Sequence, residues 1–168
     1  MKSAMKRNFN KILFIGLGGA GQRHLRLFRN RFPEADFYAL RRIKKTPLLN
    51  PDFSVKENSS IENHYGIKVF NKSKDAYAVK PNLVVISIPT AFHSEEIINA
   101  ANQGFNVFVE KPGAKNVSEI KQIKNAFLKG GGDFFVSFQR RFQPVVQEMN
   151  KLVSSKKIGP IISVKIQV

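Results

Sequence analysis

Apolar and polar positions follow two different periods along this chain, and the switches between them mark its elements. Lys11 to Ile15 is a short apolar run, as expected of a strand (about 11–16) covered on both faces of a parallel sheet. After Gly21 the spacing turns helical. Leu25, Phe28 and Phe32 lie at i, i+3 and i+7 and predict a helix over about 19–31, ended by Phe32-Pro33-Glu34. Asp36 to Leu40 reads as a second strand. Residues 43–64 are polar, with Pro47, Pro51 and Ser59-Ser60, and read as a long loop with a short helix near Ile61.

The alternation continues. Tyr65 to Phe70 suggests a short strand and residues 72–78 a short helix. Leu83 to Ile88 is the clearest strand of the chain and stops at Pro89-Thr90. A helix from His93 to Gln103 places Ile97, Ile98 and Ala101 inward, with Gly104 as its stop. Val107 to Val109 is a strand ending at Glu110-Lys111-Pro112. Asn116 with Glu119 resembles a capping box for a helix with Ile120, Ile123 and Phe127 on one face, closed by Gly130-Gly131-Gly132. Phe134 to Phe138 is a strand. Pro144 opens a last helix with Val146, Met149 and Val153 inward, and after Gly159-Pro160 a further strand starts at Ile161 and runs to Val168. Strands alternating with helices imply an α/β fold, a doubly wound parallel sheet.

The chemistry gathers at the first turn. Gly16, Gly18 and Gly21 have the spacing G-x-G-x-x-G, directly after a predicted strand and at the start of a predicted helix. Gly16 permits the tight turn, Gly18 lets a pyrophosphate approach the backbone, and Gly21 lets helix and strand pack closely. The first helical N–H groups, from Gly19 and Ala20 onward, are free for phosphate oxygens. Arg41 and Arg42 follow the second strand, where an acidic residue would bind the ribose of NAD. Basic residues there accommodate a 2′-phosphate and predict a preference for NADP over NAD.

Composition narrows the picture. Hydrophobic residues make up 42% of 168, as in globular proteins, and the absence of cysteine excludes disulfides and thiolate metal sites. Three scattered histidines have no metal-ligand spacing. No apolar run approaches the ~20 residues of a membrane span. The apolar start is broken by glycines and followed by a basic amphipathic segment where a signal peptide would be cleaved, so a cytoplasmic protein is expected. The net charge is +16, and residues 1–50 hold 12 Lys/Arg against 2 Asp/Glu, including a basic tail over 1–10. Such charge attracts phosphate. Without an accompanying RNP, zinc-finger or KH-type motif, nucleic acid is the lesser reading.

Several separated motifs converge on one family. Gly16-x-Gly18-x-x-Gly21-x-x-His24 is followed by Pro89-x-x-x-His93, Glu110-Lys111-Pro112, Arg141-Phe142-x-Pro144 and Ile158-Gly159-Pro160. From Lys11 onward this resembles the glucose–fructose oxidoreductase/inositol dehydrogenase (Gfo/Idh/MocA) family of NAD(P)-dependent sugar oxidoreductases. The resemblance implies a Rossmann-like domain, here 11–142, and the start of a second α+β domain, here a linker helix and first strand over 143–168. In that family the second domain bears substrate residues and subunit contacts, so a homo-oligomer is expected where it is complete. Members are considerably longer, which points to a fragment or truncated gene product.

The resemblance places Lys111 by the reacting carbon and Pro89 beside the cofactor; Ile88, His93 and Glu110 join the expected cofactor contacts. Lys111 also follows from position. It lies at the C-terminal end of a predicted parallel strand, where an ammonium can polarise a carbonyl or exchange a proton with a hydroxyl. The alternative to a hydride-transferring sugar or inositol oxidoreductase is a non-catalytic dinucleotide-binding module.

Overall fold

The computed structural model describes residues 8–41 and 45–165. Six strands form one all-parallel sheet in the order β3-β2-β1-β4-β5-β6. They are β1 (Lys11–Ile15), β2 (Asp36–Leu40), β3 (Lys68–Phe70), β4 (Leu83–Ile86), β5 (Asn106–Glu110) and β6 (Phe134–Ser137). Between them run α1 (Gly19–Arg31), α2 (Ile61–Tyr65), α3 (Ser73–Tyr77), α4 (His93–Ala101) and α5 (Val117–Gly130). This strand order reverses direction between β1 and β4, the place where open α/β sheets bind ligands.

Alternating side chains of each strand enter two cores, one on each face of the sheet. Ile12, Phe14, Phe37, Ala39, Leu83 and Val85 meet Leu25 of α1 and Ile61 of α2 on one face. Leu13, Ile15, Leu40, Val84, Ile86, Val107 and Val109 meet Ala76, Ile97, Ala100 and Ile123 of α3, α4 and α5 on the other. Double coverage explains why β1 and β4 read as unbroken apolar runs.

The chain divides into two compact units, residues 1–137 and 138–168. The second holds a 3-10 turn, Gln139–Phe142, and α6 (Pro144–Ser154). Here two expectations fail. The helical spacing predicts Val146, Met149 and Val153 inward, but Met149 and Val153 are exposed and Val146 is half-buried, because their own unit supplies no core to receive them. Ile161 to Lys165 forms no strand: these residues have no ladder partner among the described residues, and 166–168 lie outside them.

In the first unit Tyr65 belongs to α2 rather than to β3, since Ser60 caps that helix through Asn63 N–H and Gly66 ends it in a left-handed conformation. Ile98 is half-buried and Ile120 exposed, so α4 and α5 bury narrower faces than expected. β4 is two residues shorter than its apolar run. Ser87 still donates its N–H to Ile15 O at 2.9 Å, after which Pro89 offers none. Residues 45–56 are not a plain polar loop. Leu48 is fully buried, and Leu49 pairs with Val55 in a small hairpin.

Candidate functional site

The glycine turn has the geometry its spacing requires. Gly16 has φ +96°, and a Cβ there would lie 2.8 Å from both Ser87 O and Ile88 Cγ2. A Cβ on Gly21 would come within 2.3 Å of Gly16 O, so helix and strand are in backbone contact there. Gly18 differs: its Cβ position has nothing within 4 Å. Gly18 is also the N-cap of α1, and no side chain caps the helix. The first-turn N–H groups of α1, including those of Gly19 and Ala20, therefore have no capping side chain, and the space beside Gly18 is open.

The ends of β1, β4 and β5 adjoin this turn, because Ile15 pairs with Ile86 and Ile86 with Val109. Ser87 Oγ donates to Gly16 O at 3.0 Å and ties the β4 end to the glycines. Ile88 and Pro89 follow, then a 3-10 turn over Thr90–Phe92. His93 opens α4 with its ring buried. Nδ1 lies 2.8 Å from Pro112 O and Nε2 2.8 Å from Ile88 O. It braces the β4 turn against the β5 turn, and neither ring nitrogen is left for a ligand.

Glu110 ends β5 and turns to α1. Its Oε1 lies 2.6 Å from His24 Nε2 and 3.3 Å from Arg23 Nη2, and its Oε2 accepts from Lys111 N–H at 3.2 Å. Partial burial is the largest influence on this carboxyl and pushes its pKa up. The hydrogen bond and charge of His24, the Lys111 N–H and Arg23 together outweigh it and hold the group below the ordinary value. Lys111 is exposed, forms no ion pair among the described residues, and precedes Pro112 through a cis peptide.

Arg41 sits at the end of β2, as expected, but its guanidinium is engaged. Nη2 lies 2.6 Å from Glu62 Oε1 on α2, and Nε is buried with no partner among the described residues. Arg42 lies outside the described residues. Among the described residues no cluster of His, Cys, Asp or Glu could hold a metal ion, and no helix is long and apolar enough to cross a membrane.

Residues 10–138 match the oxidoreductase family with an NAD-binding Rossmann fold. The chain belongs to that family, Gfo/Idh/MocA. The chain is similar to inositol 2-dehydrogenase of Corynebacterium glutamicum (strain R), 26% identical over 155 residues, which cover 90% of this chain and 43% of that one. The scyllo-inositol 2-dehydrogenase (NAD(+)) of Bacillus subtilis is 34% identical over 91 residues, covering 52% of this chain and 27% of the relative. In structure, the chain resembles scyllo-inositol dehydrogenase from Lactobacillus casei, solved with bound NAD(H) and scyllo-inositol. The TM-score is 0.73 at 26% identity, over 90% of this chain and 43% of the other. The chain thus spans less than half the length of these relatives. It carries the Rossmann fold of that family, the architecture that its spacing predicted.

The sequence gives little sign of two residues packed at the glycine turn, Gln22 and Phe53. Gln22 is fully buried; its Nε2 donates to Leu17 O and Pro47 O at 2.9 Å, and its Oε1 accepts from Leu49 N–H at 2.8 Å. It fastens the 45–56 segment to the glycine turn. The only signal in the sequence was Pro51-Asp52, a turn dipeptide between Leu48-Leu49 and Val55.

Proposed function

We propose that this chain binds a nicotinamide dinucleotide across the β1/β4 switch point and presents it for hydride transfer with a cyclitol or sugar hydroxyl. The observation that carries this is the open Gly18 cradle at the uncapped start of α1. In this reading Gly16, Gly18, Gly19, Ala20 and Gly21 hold the diphosphate. Ile88 and Pro89 wall the nicotinamide side. His93 and Glu110 act by bracing the turns rather than by touching the ligand. The cofactor domain, expected over 11–142, is read as the unit that closes at Ser137, and the second begins with 138–168.

The bound nicotinamide supplies the hydride-accepting carbon. Lys111, exposed after β5 and without an ion pair among the described residues, is the group assigned to the substrate oxygen. As the neutral amine it can take the proton that the hydroxyl releases as the hydride leaves for the nicotinamide, and the ammonium so formed is the proton donor in the reverse direction. We assign a preference for NADP(H) on the basic end of β2, limited by the Glu62 carboxylate that Arg41 already faces.

A second reading, binding without turnover, is favoured by the same site. Glu110, the carboxylate next to Lys111, is committed to His24 and Arg23. The deciding experiment titrates the 168-residue chain with NADPH and NADH, then assays reduction of NADP⁺ and NAD⁺ with a panel of inositols and sugars. Binding that Gly18→Val removes supports the site. Turnover that Lys111→Ala abolishes without loss of dinucleotide affinity supports the oxidoreductase reading. Binding with no turnover supports the second reading, and no binding overturns both.

A further inference from the structure

The hairpin after β2 carries a residue to which no motif pointed. Its turn, Asn50-Pro51-Asp52-Phe53, is closed by Phe53 N–H donating to Asn50 O at 2.9 Å and by Asn50 N–H donating to Ser54 O at 2.9 Å. Pro51 and Asp52 suit such a turn. The residue that completes it takes a left-handed backbone and is ordinarily glycine. Here it is Phe53, at φ +69°. An aromatic side chain in that conformation is strained, and strain of this kind persists where something else holds it or needs it.

Burial does not supply the reason, since Phe53 is 52% exposed. Its placement does. A Cβ on Gly19 would lie 3.1 Å from two carbons of the Phe53 ring, whereas beside Gly18 the space is open. The absence of a side chain at Gly19 therefore makes room for the ring at the first turn of α1. The base of the hairpin is fixed by buried Leu48, by Gln22, and by Lys56 N–H donating to Leu48 O at 2.8 Å. Arg26 Nη1 adds a bond to Leu49 O at 3.3 Å.

We propose that Phe53 is a contact residue of the bound dinucleotide, laying its exposed ring face against the adenosine diphosphate half. This rests on the dinucleotide reading above. The hairpin follows β2, whose end faces the adenosine ribose in this topology, and its ring lies beside Gly19, next to the diphosphate cradle. An aromatic face there covers sugar and base and shields the phosphate–amide bonds from water.

The test compares wild type, Phe53→Gly, Phe53→Leu and Phe53→Tyr by titration with NADH and, separately, with ADP-ribose. Thermal melts run in parallel. Phe53→Gly suits the left-handed backbone and should fold, while Phe53→Leu keeps apolar packing on Gly19 should glycine loosen the hairpin. Affinity should fall about tenfold or more in both variants, by the same factor for NADH and ADP-ribose, and Phe53→Tyr should stay near wild type. Wild-type binding with unchanged affinity in folded Phe53→Gly or Phe53→Leu overturns the inference and leaves the dinucleotide reading standing. A loss confined to NADH overturns it as well, since the contact would then lie on the nicotinamide side. Absence of wild-type binding overturns the dinucleotide reading, and the inference with it.

Discussion

His24 Nε2 on α1 and Glu110 Oε1 at the end of β5 lie 2.6 Å apart, across 86 residues of chain. The pair bolts the helix that starts at the glycines to the end of the strand that precedes Lys111. His24 is buried, so removing its partner leaves a polar ring atom unsatisfied. Glu110→Ala should lower unfolding free energy by about 2 kcal/mol, read by urea denaturation. Glu110→Gln, which still offers an acceptor to His24, should recover part of that loss.

The three motif glycines should separate folding from binding. Gly21→Ala puts a methyl group into Gly16 O, and a backbone shift is the only relief, so a loss of about 2 kcal/mol or more is expected. Gly18 has extended backbone, φ −69° and ψ −171°, with open space beside it. Gly18→Val should therefore melt within a few degrees of wild type yet lose dinucleotide binding. A large drop in melting temperature for Gly18→Val would show that the cradle is structural.

Glu62 should govern cofactor choice. Its carboxylate lies 2.6 Å from the Arg41 guanidinium, so a 2′-phosphate must compete with it. Each charge-assisted contact to phosphate is worth about 1.5–3 kcal/mol. Wild type should favour NADPH by less than about tenfold, and Glu62→Gln should widen the ratio of NADPH to NADH affinity several-fold. Arg41→Ser should narrow it. The measurement is a pair of fluorescence titrations for each variant.

Much of this arrangement was legible in the sequence. KILFI, LVVI and the helical spacing after Gly21 are governed by burial, and burial is written in residue type. The glycine spacing likewise encodes backbone contact at Gly21 and positive φ at Gly16. What stayed hidden depends on pairing across the fold. Arg41 reads as a free cation until Glu62, 21 residues on, is seen against it. His93 reads as a cofactor-side residue, and the sequence gives no sign that both its ring nitrogens face carbonyl oxygens. Phe53 was invisible because its left-handed position ordinarily carries glycine, so a phenylalanine there gives no turn signal.

Ser94 and Glu119 couple α4 to α5 and give a pH signature. The Ser94 hydroxyl donates to Glu119 Oε2, and Lys115 N–H donates to the same oxygen at 2.9 Å. Asn116 Oδ1 accepts from Glu119 N–H at 2.9 Å, so half of the expected capping box forms and the reciprocal bond goes to Lys115. The Ser94 hydrogen bond, with those of Lys115, lowers the Glu119 pKa from 4.5 to about 2. A carboxyl lowered in the folded state stabilises above its ordinary value, and that stabilisation is lost as pH falls from about 4.5 to about 2. Ser94→Ala should raise the Glu119 pKa, seen by carboxyl-carbon NMR titration, and reduce the acid dependence of the melting temperature in that window.

The central place of β1 has a consequence for how the chain comes off the ribosome. Ile12 pairs with Phe37 on one side and with Leu83 on the other. The first partner is synthesised 25 residues later, the second only after 71. Until β4 emerges, β1 presents an apolar edge with unpaired amides and carbonyls, the kind of edge that recruits other strands. Closing so distant a parallel pair is slow relative to helix formation, and α1 and β2 must wait beside it. The nascent chain therefore has no partner for that edge of β1 until Leu83–Ile86 has been made.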